Sequence, residues 1–334
     1  MPKRLILIFL IICISPSLIF SQTLPFTFSP NTPAKAEEVN SNFQFLAKQF
    51  KKNEKTINCP NDNISQAIAD GYNHLIINGT CVFTALITPF DLPEFGQYGF
   101  TSIHPTPHLT LEGGTNGIIN PEPNGPGGML VFGGALRIKN LTMNQTIYSS
   151  FGSKVNVSES TLSRIDTQQG SAVDLYNVTV NCDDKACIYV KGSSYLRVEG
   201  LTINNSLGGS MISVREFSSA NIKDSTLSDT SNNSDGGHTA IDVDNGYLGL
   251  DETTVTISDG DVFVGSGGKI ELRGGQITRS SGSPTVRVTM ASFQVMEGAI
   301  VDSIQCESSV SYAPVSDDSN VGSVTPDSCK YYPQ

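Results

Sequence analysis

The chain reads Val173-Asp-Leu-Tyr-Asn-Val-Thr-Val180 and, a little further on, Leu196-Arg-Val-Glu-Gly-Leu-Thr-Ile203. In both stretches two apolar residues flank a variable one, turn-forming residues follow, and a short β-branched segment closes the phrase. Further copies of the phrase lie at 136–143, 155–162, 220–227, 248–255, 270–277 and 293–300. The copies are roughly 22 residues apart, and such a period is typical of solenoids, in which each repeat forms one coil.

Residues alternate between apolar and polar within each copy, which is the pattern of a strand with one buried side. Turn-formers interrupt the strands every few residues, so each coil holds two or three short strands. A leucine-rich repeat needs Leu at several fixed positions and an Asn ladder, and a β-sandwich does not repeat one phrase in register. The predicted fold class is therefore all-β, a parallel β-helix with a core of Val, Ile and Leu.

The composition excludes one broad class of function. Among 334 residues, 21 are Lys or Arg and 32 are Asp or Glu, giving a net charge of -11. Nucleic-acid binding requires a basic surface that displaces counterions, so no nucleic-acid partner is expected. The 31 glycines and the absence of Trp also favour a β-rich chain with many turns over a helical one.

The first 21 residues have the pattern of a signal peptide. A basic start at Lys3 and Arg4 precedes an apolar run from Leu5 to Phe20, and Ser21 is a small residue suited to cleavage. No other apolar stretch is long enough to span a bilayer, so the expected location is secreted, periplasmic or at the cell surface.

Six cysteines follow the predicted cleavage site, and an even number in an exported chain indicates disulfides. Fifteen pairings are open, and the grouping of the cysteines along the chain favours three local bonds. These are Cys59–Cys81, Cys182–Cys187 and Cys306–Cys329. No cluster of Cys and His has metal-ligand spacing, so no metal site is predicted.

The ends of the solenoid need caps, because open strand edges would pair with other chains. Asn63 is placed to N-cap a short helix whose apolar face includes Ile64 and Ile68. The predicted β-helix with this cap covers residues 57–307, and residues 308–334 form a tail that closes the far end.

Residues 22–56 precede the cap and have a different pattern. From Ala34 to Lys55 the sequence predicts a helix with a short heptad seam through Val39, Phe43 and neighbouring apolar positions. Two interpretations stay open: a stem that assembles a homotrimer, or a helix that folds against the β-helix.

The cap resembles that of secreted bacterial right-handed β-helix proteins of the pectin-lyase-like superfamily. The resemblance rests on Cys59, Gln66-Ala67-Ile68 and Ile77-Asn-Gly-Thr-Cys81, and with the repeats it covers residues 57 to 305. The segment Ala34 to Phe43 also resembles a stem found before fibre-like domains. The resemblance implies a right-handed solenoid, but that superfamily includes enzymes, tailspikes and adhesins, so it implies no single function.

Aligning the buried pairs of one strand per coil places outward residues on neighbouring rungs. One predicted ladder consists of Tyr189, Ser213, Asp242, Phe263 and Arg287. All of these residues except Asp242 are candidate ligand-binding residues. A neighbouring ladder contains Lys191, Arg215, Asp244, Gly265 and Thr289. Polysaccharide lyases of the superfamily combine a basic residue with carboxylates on such a face, which makes Lys191, Arg215, Asp242 and Asp244 the candidate catalytic residues. Ordinary cross-strand ion pairs give the same pattern.

Two weaker patterns accompany the ladders. Asp183-Asp184 with the later His238 resembles part of the polygalacturonase pattern, although Thr239 stands where that family has Gly. Asp242–Gly246 and Ser258–Asp261 offer oxygen ligands for Ca²⁺ without a complete Ca²⁺-binding loop, so Ca²⁺ is the one candidate cofactor.

The sequence thus favours an exported, non-enzymatic β-helix for surface attachment or contact with a glycan. The alternative is a polysaccharide lyase or hydrolase that acts on an outer face of the β-helix. A third role, purely structural in a fibre or envelope layer, also stays open.

Overall fold

A computed structural model describes residues 35–42, 54–89, 103–105, 107–123, 127–182, 186–205, 209–230, 239–258, 260–280, 285–309, 311–326 and 329. The chain divides into two compact units, Met1–Lys52 and Asn53–Gln334. In the first unit, residues 36–42 form helix α1, within the segment for which the sequence predicts a helix. The predicted signal peptide and most of the heptad seam lie outside the described residues.

The second unit is a parallel β-helix. All strand pairings among the described residues are parallel, and strands inside the stack pair with the equivalent strands one coil before and one coil after. The pairings fall into three columns, which we call face 1, face 2 and face 3 in the order in which the chain visits them within a coil.

Face 1 contains the first strand of each coil. Its strands are β1 (Glu54–Asn58), β2 (His74–Asn78), β6 (His108–Gly113), β9 (Ala135–Lys139), β11 (Lys154–Ser158), the first halves of β13 (Ala172–Asn181) and β15 (Tyr195–Asn205), β17 (Ser219–Lys223), β20 (Tyr247–Asp251), β23 (Lys269–Arg273) and β26 (Ser292–Met296).

Face 2 follows within each coil. Its strands are β3 (Thr80–Val82), β7 (Ile118–Asn120), the starts of β10 (Thr142–Ser150) and β12 (Thr161–Thr167), the second halves of β13 and β15, β18 (Thr226–Asp229), β21 (Thr254–Ile257), β24 (Gln276–Arg279) and the starts of β27 (Ile300–Cys306) and β28 (Asn320–Thr325).

Face 3 closes the coil. Its strands are β4 (Leu86–Thr88), β5 (Ile103–Pro105), β8 (Gly128–Phe132), the second halves of β10 and β12, β14 (Ile188–Val190), β16 (Ile212–Arg215), β19 (Thr239–Asp244), β22 (Asp261–Gly265), β25 (Val286–Val288) and the ends of β27 and β28.

The repeat phrase sets the register of face 1 and fills the core. The first apolar position of each phrase stacks in one buried column, formed by Leu136, Val155, Val173, Leu196, Ala220, Leu248, Ile270 and Phe293. The second position forms a parallel column, from Ile138 to Val295, that is also buried. Burial of one such side chain contributes about 1.5–3 kcal/mol, so the stacked columns are the main source of stability. The predicted solenoid and its inward residues are confirmed.

Each coil bends from face 1 to face 2 at a residue with positive φ. This residue is Asn140, Glu159, Asn177, Gly200, Asp224, Glu252 and Gly274 in successive coils. The left-handed conformation turns the chain sharply, and Asn, Asp and Gly adopt it most readily. The turn-formers in the repeat phrase therefore mark the corners of the coil.

The N-terminal cap has the predicted form. Helix α2 (Ile64–Ala69) begins after Asn63, whose side-chain oxygen accepts a hydrogen bond of 3.0 Å from the backbone N–H of Gln66. Ile64, Ala67 and Ile68 are buried against the first coils, which protects the end of the hydrophobic stack.

One boundary differs from the sequence prediction. The predicted helix extends to Lys55, but residues 54–58 form β1, which pairs with β2 so that Lys55 lies opposite Leu75. Ile57 fits both patterns, because it continues the heptad spacing and also alternates with exposed neighbours in a strand. Pairing with β2 buries Ile57 completely, and that favours the strand.

The three favoured disulfides are present: Cys59–Cys81, Cys182–Cys187 and Cys306–Cys329. The first joins the cap to the first coil, and the third joins the end of β27 to the tail. Within the tail, β28 pairs with β27 and adds one more rung to the stack. None of the described helices has the length and apolar character that a membrane crossing requires.

Candidate functional site

The first ladder predicted from the sequence, and the Arg215–Asp244–Gly265 part of the second, lie on face 3 in the predicted register. Tyr189, Ser213, Asp242, Phe263 and Arg287 occupy successive rungs. Arg215 is paired directly with Asp244, and Asp244 with Gly265. The parallel strand spacing of about 4.8 Å brings these side chains within reach of one another.

The strongest contact on face 3 joins Arg215 to Asp242. Two guanidinium nitrogens of Arg215, Nε and Nη2, donate to Oδ2 of Asp242, with Nε at 2.7 Å. The hydroxyl of Ser213 donates to the same oxygen at 3.2 Å. Asp242 is only 6% exposed, so its charge is neutralised inside this small network.

This pairing argues against Arg215 as a proton acceptor. Its hydrogen bond to Asp242 raises the pKa of Arg215 above the ordinary value, which is itself far above neutral. A general base must lose its proton near the working pH, and Arg215 keeps it.

Arg287 is bound in a similar way. Its Nε donates to Oδ2 of Asp261, its Nη1 lies 3.7 Å from Glu307, and its guanidinium lies 5.2 Å from the ring centroid of Phe263. The hydrogen bond to Asp261 raises the pKa of Arg287. Lys191 has a different neighbour, since its ammonium lies 5.1 Å from the ring centroid of Tyr189.

The structure adds Asp166 to the ladder, one rung before Tyr189. Burial raises the pKa of Asp166, although Gln168 donates a hydrogen bond of 2.6 Å to its carboxylate and Arg164 lies 3.5 Å away. The sequence contains the signal for this residue, because Asp166 follows Ile165 as Tyr189 follows Ile188. The ladder predicted from the sequence begins at Tyr189, one coil later, and therefore does not include Asp166.

The two weaker patterns gain no support. Asp183, Asp184 and His238 lie outside the described residues. Among the residues that are described, no group of three or more His, Cys, Asp or Glu side chains could hold a metal ion. In the two Ca²⁺ candidate stretches, Asp242 and Asp261 already face guanidinium groups, so these donors do not fit a Ca²⁺ site.

A concave surface lies elsewhere, on the outside of face 1. Two cavities of about 280 and 300 Å³ adjoin there and share Arg197 and Glu199 in their linings. We call their union the face-1 groove. Its remaining ionisable and aromatic lining residues are Arg137, Asp174, Tyr176, Tyr195, Lys223, Tyr247, Asp251, Glu271 and Arg273.

One end of the groove carries a closed charge network around Glu271. The carboxylate of Glu271 lies 2.5 Å from the ammonium of Lys269 and 2.8 Å from the guanidinium of Arg273. It also accepts a hydrogen bond of 3.1 Å from the hydroxyl of Tyr247. Burial alone raises the pKa of Glu271, but these three hydrogen bonds outweigh it and leave the pKa below its ordinary value. The network fixes the shape of that end of the groove.

The other end holds guanidinium groups with free donors. Arg137 and Arg197 line the same cavity, and within the described part of the chain the guanidinium group of neither forms a hydrogen bond or an ion pair. Tyr176 and Tyr195 nearby are 49% and 39% exposed, respectively. The sequence held this signal too, because Arg137 and Arg197 occupy the variable position between the two apolar residues of their phrases.

The fold and these faces define an all-β protein of the parallel β-helix class. Comparison with protein-family models, with curated proteins and with solved structures gives no match. The function is therefore argued from the faces themselves.

Proposed function

We propose that the protein is an exported, non-enzymatic β-helix that binds a polysaccharide chain in the face-1 groove. The three disulfides support an oxidising location outside the cytoplasm. The cap and the coils are also consistent with a member of the pectin-lyase-like superfamily, in the right-handed form that the sequence resemblance implies.

The observation that carries the proposal is the length of the groove together with its free donors. From the strand of Arg137 to the strand of Glu271 the stack advances by six strand spacings. At about 4.8 Å each, the groove is on the order of 29 Å long, which suits a linear polymer better than a small molecule. Unpaired guanidinium donors match the hydroxyl and carboxylate oxygens of sugars.

The exposed tyrosines supply the second element of sugar binding. Tyr195 lines one cavity of the groove and Tyr176 lines the other, and Arg197 lines both. An aromatic ring offers an apolar face for a sugar ring and a hydroxyl for hydrogen bonding. The chain has no Trp, so tyrosine is the larger of the two aromatic types that can take this role.

The experiment is a binding titration of the mature protein against neutral and acidic polysaccharides. Arg197→Ala is expected to weaken the affinity about tenfold or more, because it removes charge-assisted hydrogen bonds. Lys191→Ala, on face 3, is the matched control and should bind as the wild type does. Loss of binding in Lys191→Ala with normal binding in Arg197→Ala would move the site to face 3 and overturn the proposal.

The alternative, a polysaccharide lyase or hydrolase on face 3, has less support because Arg215 and Arg287 are held in ion pairs. A lyase forms an unsaturated product that absorbs ultraviolet light. We expect no rise in absorbance when the protein is incubated with uronate polymers, with or without Ca²⁺. A rise that Lys191→Ala abolishes would establish the enzyme instead.

A further inference from the structure

The outer surface of face 2 has a composition unlike that of the other two faces. Its first outward column includes threonines on six successive rungs: Thr142, Thr161, Thr179, Thr202, Thr226 and Thr254. Two residues further along each strand lies a second column, which includes Asn181, Asn204, Ser228, Thr256 and Thr278. From β10 to β24 every residue of these two columns bears a hydroxyl or an amide, and Ile118 and Ile300 stand in the first column just beyond this stretch.

Charge is the sharpest difference between the faces. The outward positions of face 1 on the same coils include Arg137, Lys139, Asp174, Arg197, Glu199 and Lys223. Those of face 3 include Asp166, Lys191, Arg215, Asp242 and Arg287. From β10 to β24 the two columns of face 2 contain neither acids nor bases, in a chain with a net charge of -11, and an acid, Asp302, follows on β27.

Strand preference alone explains part of this pattern, since Thr is common in strands. It does not explain the absence of charge, because Lys, Arg and Glu occupy the equivalent outward positions on face 1. A surface that excludes charge over successive coils is suited to a neutral partner.

The array is also rigid and periodic. Threonine is branched at Cβ, so its side chain has few rotamers to lose when it binds. The hydroxyls repeat at about 4.8 Å along the stack, and the two columns are roughly 6.7 Å apart, two residues along a strand. Both distances are close to repeats in the oxygen lattice of ice.

We propose that face 2 binds the surface of an ice crystal. Hydroxyl and amide groups take the place of lattice oxygens as hydrogen-bond partners, and the threonine methyl groups fill the gaps between ordered waters. The two columns are uncharged from β10 to β24, as the lattice is. This activity is separate from polysaccharide binding on face 1 and does not depend on it.

The test measures how strongly the mature protein partitions into slowly growing ice and how far it lowers the freezing point below the melting point. Thr202→Lys places a charged, bulky side chain in the centre of the array. Thr226→Val removes one hydroxyl and preserves the shape. Thr289→Lys, on face 3, is the matched control, and circular dichroism with a thermal melt confirms that each variant is folded.

We expect the wild type and Thr289→Lys to concentrate in the ice and to show the same difference between melting point and freezing point. Thr202→Lys should lose both effects several-fold, and Thr226→Val should lose them in part. If the wild type is excluded from ice like an ordinary protein, or if Thr202→Lys performs as the wild type does, the proposal fails.

Two other occupants of face 2 give distinct results. A second copy of the chain would appear in sedimentation as a dimer that Thr202→Lys dissociates. A crystalline polysaccharide would retain the wild type in a pull-down and release Thr202→Lys. Either result, without enrichment in ice, overturns the proposal.

Discussion

Arg215 and Asp242 lie on neighbouring strands of face 3, and a single carboxylate oxygen of Asp242 accepts both guanidinium hydrogen bonds of Arg215. The relationship is unequal, because the side chain of Arg215 is 46% exposed whereas that of Asp242 is 8% exposed. The arginine therefore solvates a carboxylate that the fold has largely removed from water.

Removing Arg215 should lower the free energy of unfolding by more than an exposed ion pair contributes, because Asp242 would remain buried without its partner. We expect Arg215→Met to lower the free energy of unfolding by about 1–2 kcal/mol, after allowance for the exposure of the arginine. Chemical denaturation measures this change. In the double variant with Asp242→Asn, most of the loss should be recovered, and strictly additive losses would contradict the pairing.

The register of the stack is tested by two adjacent residues. Ile222 is 1% exposed and points into the core, whereas its neighbour Asn221 points outward on face 1. Ile222→Asp should prevent folding or lower stability by several kcal/mol, since it buries a charge without a partner. Asn221→Asp should change the melting temperature little. Similar losses in both variants would show that the register is wrong.

Glu112 makes stability depend on pH at the N-terminal end. It accepts a hydrogen bond from Nε2 of His74 at 3.0 Å and lies 3.3 Å from Lys139. Chiefly through the hydrogen bond to His74, its pKa lies below the ordinary value. A lowered pKa stabilises the folded state above the ordinary value of about 4.3, and this stabilisation is lost as pH falls through the folded pKa.

We therefore expect Glu112→Gln to be less stable than the wild type at neutral pH. The difference between the two should shrink as the pH is lowered below about 4.3, because the wild type then protonates Glu112 as well. Thermal melts across the acid range measure it. A difference that does not change with pH would rule out this role for the carboxylate.

Asp166 should make stability depend on pH in the direction opposite to that of Glu112. Burial raises its pKa, so the folded state holds the proton more tightly than the unfolded chain does. The ionised form opposes folding, and that penalty grows as pH rises from the ordinary value of about 3.9 through the folded pKa. Asp166→Asn is expected to be more stable than the wild type at neutral pH and to lose this advantage in strong acid.

Sedimentation tests whether the segment before β1 is a trimeric stem. If residues 22–53 form a trimeric stem, sedimentation of the mature chain should give a trimer, and a chain that begins at Glu54 should give a monomer. The truncation stops at residue 53 because β1 begins at Glu54 and belongs to the β-helix. A monomer in both preparations would exclude the trimer, leaving the helix folded against the β-helix as the interpretation.

Much of the fold was predictable because the repeat phrase specifies which residues are buried, which point outward and where the coil turns. Leu196 and Val198 specify the buried columns, Arg197 between them the outward position, and Gly200 the corner. The same logic predicts that Tyr189, Ser213 and Asp242 lie on one ladder, and the structure has them on successive rungs.

Whether each charged side chain forms an ion pair was not predictable from the repeat phrase. Whether a guanidinium is paired depends on which carboxylates lie within reach across and along the strands, and on the rotamers they adopt. Arg287 reaches Asp261, whereas Arg197 lies one rung from Asp174 and forms no ion pair with it in the described structure. The sequence therefore pointed to face 3 as the chemical surface, and only the geometry revealed the groove on face 1.

The stacking of one coil on the next, residue against residue from β9 to β26, has a consequence for how such a chain can change over generations. Deleting or duplicating a whole coil creates one new pair of neighbouring coils and leaves the other neighbour relationships intact, because each rung contacts only the rungs beside it. The molecule can thus lengthen or shorten in steps of about 4.8 Å while both caps stay the same. The length of the stack therefore changes by whole units of the gene rather than by point substitution.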